Sequence, residues 1–188
     1  MIDFTSLIDK TWTLFLDRDG VLNIEKNGDY IRNADEFVLY NNTLESIAKL
    51  NTLFGKIIIV TNQRGVGKGL MTSNDVIQIH AHLDNLLAPV GGHIHAYYFA
   101  PDLDTNAPHR KPNTGMGLQA KLDFPDIDFS KSIMVGNNLS DMEFGKRLGM
   151  YTMYVETTKP LDMPNKLVDL KMESLTACCN AILQHSNK

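Results

Sequence analysis

The chain is short of cysteine, of clustered positive charge and of long apolar runs, and each shortage closes off a class of function. Of 188 residues only two are cysteines, Cys178 and Cys179. They are adjacent and fall in a helical pattern, which suits reduced packing residues better than a disulfide framework or a metal pair. A reducing, cytoplasmic setting is the expectation. Lysine and arginine number 18 against 22 acids, a formal net charge of -4. No basic stripe stands out of that balance, so nucleic acid is not expected as a partner. No apolar run approaches the ~18 residues of a membrane span. The opening stretch MIDFTSLIDKTW lacks the basic-then-apolar layout of a secretory signal. Repeats, linkers and low-complexity segments are missing too. What remains is 43% hydrophobic and 21% charged residues, ordinary for a soluble globular chain whose length suits one domain over 1–188.

What is present is a cluster of acids at the end of a strand. Thr13-Leu14-Phe15-Leu16 reads as a buried strand that runs into Asp17-Arg18-Asp19-Gly20. Residues i and i+2 of a strand point the same way, so both carboxylates come to one side, about 6–7 Å apart. Gly20 lets the backbone turn away. Two acids held together need a cation or a shared proton. The plainer reading is an Asp-rich turn held by local hydrogen bonds.

Down the chain, residues 1–11 read as an extension or lead-in strand, and about 20–38 as a small flap with an Asn27-Gly28-Asp29 turn. Asn42 to Glu45 suggests a capping box, opening a helix that Gly55 can end. Lys56–Thr61 reads as a second strand, covered on both faces. Thr72–Asp75 caps a helix with Val76, Ile79, Leu83 and Leu87 inward, broken at Gly91-Gly92. Further strands are expected over 94–99, 133–136 and 152–155, and a helix over 114–122. Ser140 and Glu143 could cap the next helix, and Gly149 could close it. A final helix, about 165–185, carries the Leu167, Leu170, Leu175, Cys178 and Ile182 stripe. Alternating strands and helices imply a three-layer, Rossmann-like α/β fold with a parallel sheet of five strands or slightly more. Ligands bind at the carboxyl ends of such strands. Asp17, Asp19, Thr61, Asn62, Lys111, Asn137 and Asp141 all fall there or on the loops that follow.

These residue types suit phosphoryl transfer. A carboxylate can attack phosphorus, a second acid can move the proton, and a hydroxyl, an amide and a lysine can neutralise the phosphoryl oxygens. The order DxDG, TNQ, RKP and VGxxxxD resembles the haloacid dehalogenase superfamily of aspartyl-phosphate phosphatases. The stretches Phe15 to Asn23 and Val60-Thr61-Asn62-Gln63 are similar to its branch of D-glycero-D-manno-heptose 1,7-bisphosphate and histidinol-phosphate phosphatases. The resemblance extends from about 12 to 156. It implies a capless fold, Asp17 as nucleophile, Asp19 as general acid/base, and Thr61 and Asn62 on the phosphoryl group and nearby substrate. It further implies Lys111 beside Asp17 and Arg110 on substrate. Magnesium would be held by Asp17, the Asp19 carbonyl and Asn137, with Asp141 behind them.

Two departures from the family matter. The fourth motif begins Gly136-Asn137 where Gly-Asp is usual, so one negative charge is missing. A helix cap is the plainer role for Asn137. The loop before Arg110 holds Asp102 and His109 but no cysteine, too few ligands for a closed zinc site, so no structural zinc is expected. Prolines at 101, 108 and 112 are the candidates for ordering it.

The glycines from Gly65 to Gly69 do not match a P-loop, since Gly69 stands where Ser or Thr belongs. They suit a substrate-side loop, with Arg64 or Lys68 toward a distal phosphate. His80 and His82 read as surface or packing residues. His93 and His95 read as strand residues, with a metal pair as the minor alternative. The expected function is magnesium-dependent hydrolysis of a small phosphorylated metabolite, a sugar phosphate foremost, by a monomer or weak dimer. A histidinol-phosphate or other phosphomonoesterase, and a silent phosphate-binding protein, remain as alternatives.

Overall fold

A computed structural model describes residues 7–186. Six strands form one parallel sheet in the order β3-β2-β1-β4-β5-β6. They are β1 (Thr13–Leu16), β2 (Lys56–Asn62), β3 (Ala96–Ala100), β4 (Ser132–Gly136), β5 (Tyr151–Val155) and β6 (Leu170–Met172). Strands buried on both faces need apolar residues at every position, and the alternation divides them cleanly. Leu14, Leu16, Ile57, Ile59, Ile133 and Val135 enter one core. There they meet α1 (Thr43–Leu53), α3 (Ser73–Leu87) and α6 (Leu175–Ser186). Phe15, Ile58, Val60 and Met134 enter the other, against α4 (Gly115–Asp123) and α5 (Leu139–Leu148). A single turn of helix, α2 (Arg64–Gly67), follows β2.

The chain leaves β1 for β2 and β3 on one side, then crosses to β4 on the other. β1 and β4 are thus neighbours reached by opposite routes, which opens a crevice at their carboxyl ends. Asp17 N–H still donates to Val135 O at 2.9 Å, so the two strand ends part just beyond that bond.

The expected Rossmann-like α/β sheet stands, with β6 as the additional strand. Leu170–Met172 pairs with β5, and α6 begins only at Leu175, so no helix runs over 165–174. Ser174 opens α6 by accepting from Ala177 N–H through Oγ at 3.1 Å. The helix-spaced leucines before it hid a three-residue strand. Asn42 opens α1 in a left-handed conformation without a side-chain cap. Asn138, not Ser140, caps α5 in a reciprocal pair with Asp141. Residues 7–12 form no strand, and residues 1–6 of the expected extension lie outside the described residues. Thr72 and Asp75 do form a capping box on α3, and Val76, Ile79, Leu83 and Leu87 are fully buried. Cys178 and Cys179 are buried and free. Among the described residues no helix is long and apolar enough to cross a membrane.

Thr72→Ala removes one half of the α3 cap. It should lower unfolding free energy by about 1 kcal/mol in urea titration, with the slope unchanged.

Candidate active site

A pocket of about 120 Å³ opens at the crevice between β1 and β4, lined by Asp17, Asp19, Glu25, Thr61, Asn62, Lys111, Asn138, Ser140 and Asp141. Lys111 is its central cation. Its Nζ donates to Asp17 Oδ1 at 2.9 Å and to Val60 O at 2.7 Å, and lies 2.7 Å from Asp141 Oδ1. Three acceptors use all three ammonium protons. Asn62 holds this lysine's backbone, donating to Lys111 O at 3.1 Å and accepting from Lys111 N–H at 3.0 Å. The amide expected to face substrate therefore also anchors the loop that delivers the lysine.

The acids do not share one partner. Asp19 sits in a cradle of Arg18, Asn23 and Gln63, which donate to it at 2.8–3.3 Å. Gln63 also donates to Thr61 Oγ1 at 3.0 Å, tying the hydroxyl to the same network. Burial alone would raise the Asp19 pKa, but the Arg18 charge and the three donors outweigh it and hold the carboxyl below its usual range. Asp17 goes the other way. Burial pushes it up to about 7, and Lys111 only partly offsets this while Asp141 adds to it. Burial would lower Lys111, but Asp141 and Asp17 raise it above its ordinary value. The site thus sets a carboxyl of raised pKa and one of lowered pKa on one small pocket.

Beside Asp19, His80 is stacked on Tyr97 with ring centroids 4.4 Å apart. Its pKa is pushed down to about 3 by burial and by the Arg18 charge.

Two glycines let the strand ends come this close. A Cβ on Gly20, where φ is +82°, would meet Asn137 Nδ2 at 1.9 Å. A Cβ on Gly136 would meet Asp141 Cβ at 2.3 Å. Asn137 is consequently pressed behind the pocket wall, fully buried. Its Nδ2 donates to Thr158 Oγ1 at 2.9 Å and reaches Glu25 Oε2 at 3.5 Å, while its Oδ1 accepts from Asn138 Nδ2 at 3.1 Å. It is Asn138 that lines the pocket.

Arg64 and Arg110 do not line the pocket. Arg64 is exposed at the start of α2, and Arg110 donates through Nη1 to Leu103 O. Long side chains on loops gave no signal for where they point. The loop before Lys111 is ordered by an amide: Asn113 Nδ2 donates to Thr105 O and Ala107 O, both at 2.9 Å. His93 and His95 approach with Nε2 atoms 3.2 Å apart. However, His95 Nδ1 accepts from Ile57 N–H, so its ring proton sits on Nε2 and blocks that atom as a metal ligand. Sequence reasoning missed Glu25, Asn138, Ser140 and the Asp19 cradle. The Asp–Asn–Gln spacing after β1 and β2 carried a signal for the cradle, whereas the flap around Glu25 carried none.

Among the described residues no three His, Cys, Asp or Glu side chains converge as a metal-holding group. The pocket nevertheless fits a hard cation. Four carboxyl side chains, Asp17, Asp19, Glu25 and Asp141, line it against one lysine, the oxygen-rich surround such a cation takes.

The model of the family described as polynucleotide kinase 3 phosphatase matches residues 13–163. A D-glycero-alpha-D-manno-heptose-1,7-bisphosphate 7-phosphatase of Mycobacterium bovis is 41% identical over 133 residues, 70% of each chain. A D-glycero-D-manno-heptose-1,7-bisphosphate 7-phosphatase of Chlorobaculum tepidum is 34% identical over 156 residues, 77% of this chain and 78% of that one. The crystal structure of a D,D-heptose 1,7-bisphosphate phosphatase from B. bronchiseptica, complexed with magnesium and phosphate, is similar with a TM-score of 0.82. It is 26% identical, covering 92% of this chain and 98% of that one.

Replacing Lys111 by Met strands Asp17 and Asp141 in a buried site. The expected loss is about 3–5 kcal/mol of unfolding free energy in urea. Asp17→Asn should do the opposite. Burial raises the Asp17 pKa to about 7 in the folded protein, against an ordinary 3.8 in the unfolded chain. Its contribution to stability therefore declines as pH rises across that window. The variant should melt above the parent at neutral pH, with a gap that widens from about pH 4 to about pH 7 in calorimetry.

Proposed function

This chain belongs to the polynucleotide kinase 3 phosphatase family of haloacid-dehalogenase-like phosphatases, phosphoric monoester hydrolases, and from that premise we propose that it takes a phosphoryl group from a sugar bisphosphate of the heptose 1,7-bisphosphate kind. The observation that carries the reading is the buried Asp17–Lys111–Asp141 chain beneath Thr61 and Asn62. The 41% identical relative supports the substrate class. A pocket of about 120 Å³ takes a phosphoryl head and leaves the sugar outside.

In this reading an Asp17 carboxylate oxygen attacks phosphorus, and the bond from phosphorus to the sugar oxygen breaks. The leaving oxygen takes a proton from Asp19. Water then attacks the acyl phosphate, gives its proton to Asp19, and inorganic phosphate leaves with Asp17 restored. Asp19 rests ionised in its cradle, which suits the second half. A phosphate dianion entering the pocket raises its proton affinity by like-charge repulsion, as the first half requires. Thr61 and Lys111 stabilise charge on the phosphoryl oxygens. Asn137, expected as a third magnesium ligand, sits behind the pocket wall with its Oδ1 on Asn138 Nδ2. Magnesium would be held by Asp17 and the Asp19 carbonyl, with Asp141 acting through Lys111. When bound it neutralises the dianion so that the carboxylate can approach. Arg64, exposed and outside the pocket, is available to the distal phosphate, and Arg110 would reach it by giving up its bond to Leu103 O.

Phosphate release from sugar bisphosphates, sugar monophosphates and histidinol phosphate, with and without magnesium, tests this. The expected result is fastest magnesium-dependent release from the heptose bisphosphate, and none from Asp17→Asn. Preferential release from histidinol phosphate would overturn the substrate class. Equal release from the Asp17→Asn protein would overturn the nucleophile.

A further inference from the structure

We propose that Glu25 supplies the negative charge that Asn137 withholds from a divalent cation bound at Asp17. The inference rests on the magnesium-dependent reading above and concerns a residue of the flap that no motif marks. Each other acid of the pocket already has a partner: Asp17 and Asp141 share Lys111, and Asp19 is paired with Arg18 at 2.9 Å. Asp141 is further committed through Oδ2, which accepts from Asn138 N–H at 3.0 Å. Glu25 alone among the pocket carboxylates has no cationic partner among the described residues.

The chain that leads into it is held in place. The backbone around it is tied to the core by Asn23, fully buried, and by Ile24 N–H donating to Val38 O at 2.8 Å. Its carboxylate lies 3.5 Å from the Asn137 amide, at the wall the amide closes. An asparagine there offers a neutral dipole where a carboxylate would offer charge, and ligand charge sets the affinity of a hard-cation site. A carboxylate one side chain further out restores that charge without crowding Gly20 against a second buried anion. Since no three acid side chains converge directly, Glu25 acts from outside the immediate donors, where magnesium keeps its waters.

Calorimetric titration of Mg²⁺ into the substrate-free protein tests this without reference to turnover. Glu25→Gln should weaken binding by about 10- to 100-fold, and Glu25→Asp by less. Adding Asn137→Asp to Glu25→Gln should restore affinity, an effect that a role in folding or sugar contact would not produce. Unchanged Mg²⁺ binding in Glu25→Gln, with or without a raised KM for the sugar phosphate, would overturn the inference while leaving the phosphatase reading intact. A parent protein that binds no Mg²⁺ at all, indistinguishable from Asp17→Asn, would overturn both.

Discussion

One buried ammonium group organises the site. Lys111 lies 94 residues from Asp17 and 30 from Asp141 in the chain, yet its Nζ meets both carboxylates and the carbonyl of a central strand. An ammonium in an apolar interior is tolerated only when every proton has an acceptor. That demand fixes how β1, β2 and α5 must sit, and the rest follows from it. Asn62 grips the lysine's backbone, Gly136 makes room for Asp141, and Asp141 in turn caps α5. Structural and chemical demands fall on the same atoms.

The two aspartates after β1 differ in environment more than in position. Asp17 is buried beside a shared lysine, and its pKa is raised to about 7. Asp19 is buried too, yet a guanidinium and two amides keep it ionised. The separation needs no change in sequence between the acids themselves, only different neighbours.

Much of this is legible in the sequence. The strand periodicity, the Asp17-x-Asp19-Gly20 turn and the apolar faces of α3 followed from local rules, because each depends on neighbours in sequence. The convergence of Lys111 on Asp17 was legible only through resemblance, since no local rule reaches across 94 residues. Where local rules failed, tertiary context had intervened. β6 pairs with the open edge of β5, although Leu170 belongs to a stripe with Leu167 at helical spacing. Of two adjacent asparagines the outer one lines the pocket, because Gly20 pulls the inner one behind the wall. Glu25 lies in a flap without periodicity, so nothing in the sequence aimed it at the site.

The route of the chain through the sheet has a consequence for how the protein comes into being. β1 sits at the centre, flanked by β2 and by β4, so one of its edges waits until residues beyond 130 have been made. In synthesis from the N-terminus, Asp17 and Thr61 are made well before β4 and Asp141, which complete the pocket. A nascent chain is therefore a half-sheet with an open central edge and an incomplete site. Closing that edge is a long-range step of the kind that slows folding and exposes chains to aggregation. The pocket's full lining, with Asn138, Ser140 and Asp141, is present only once that edge is closed.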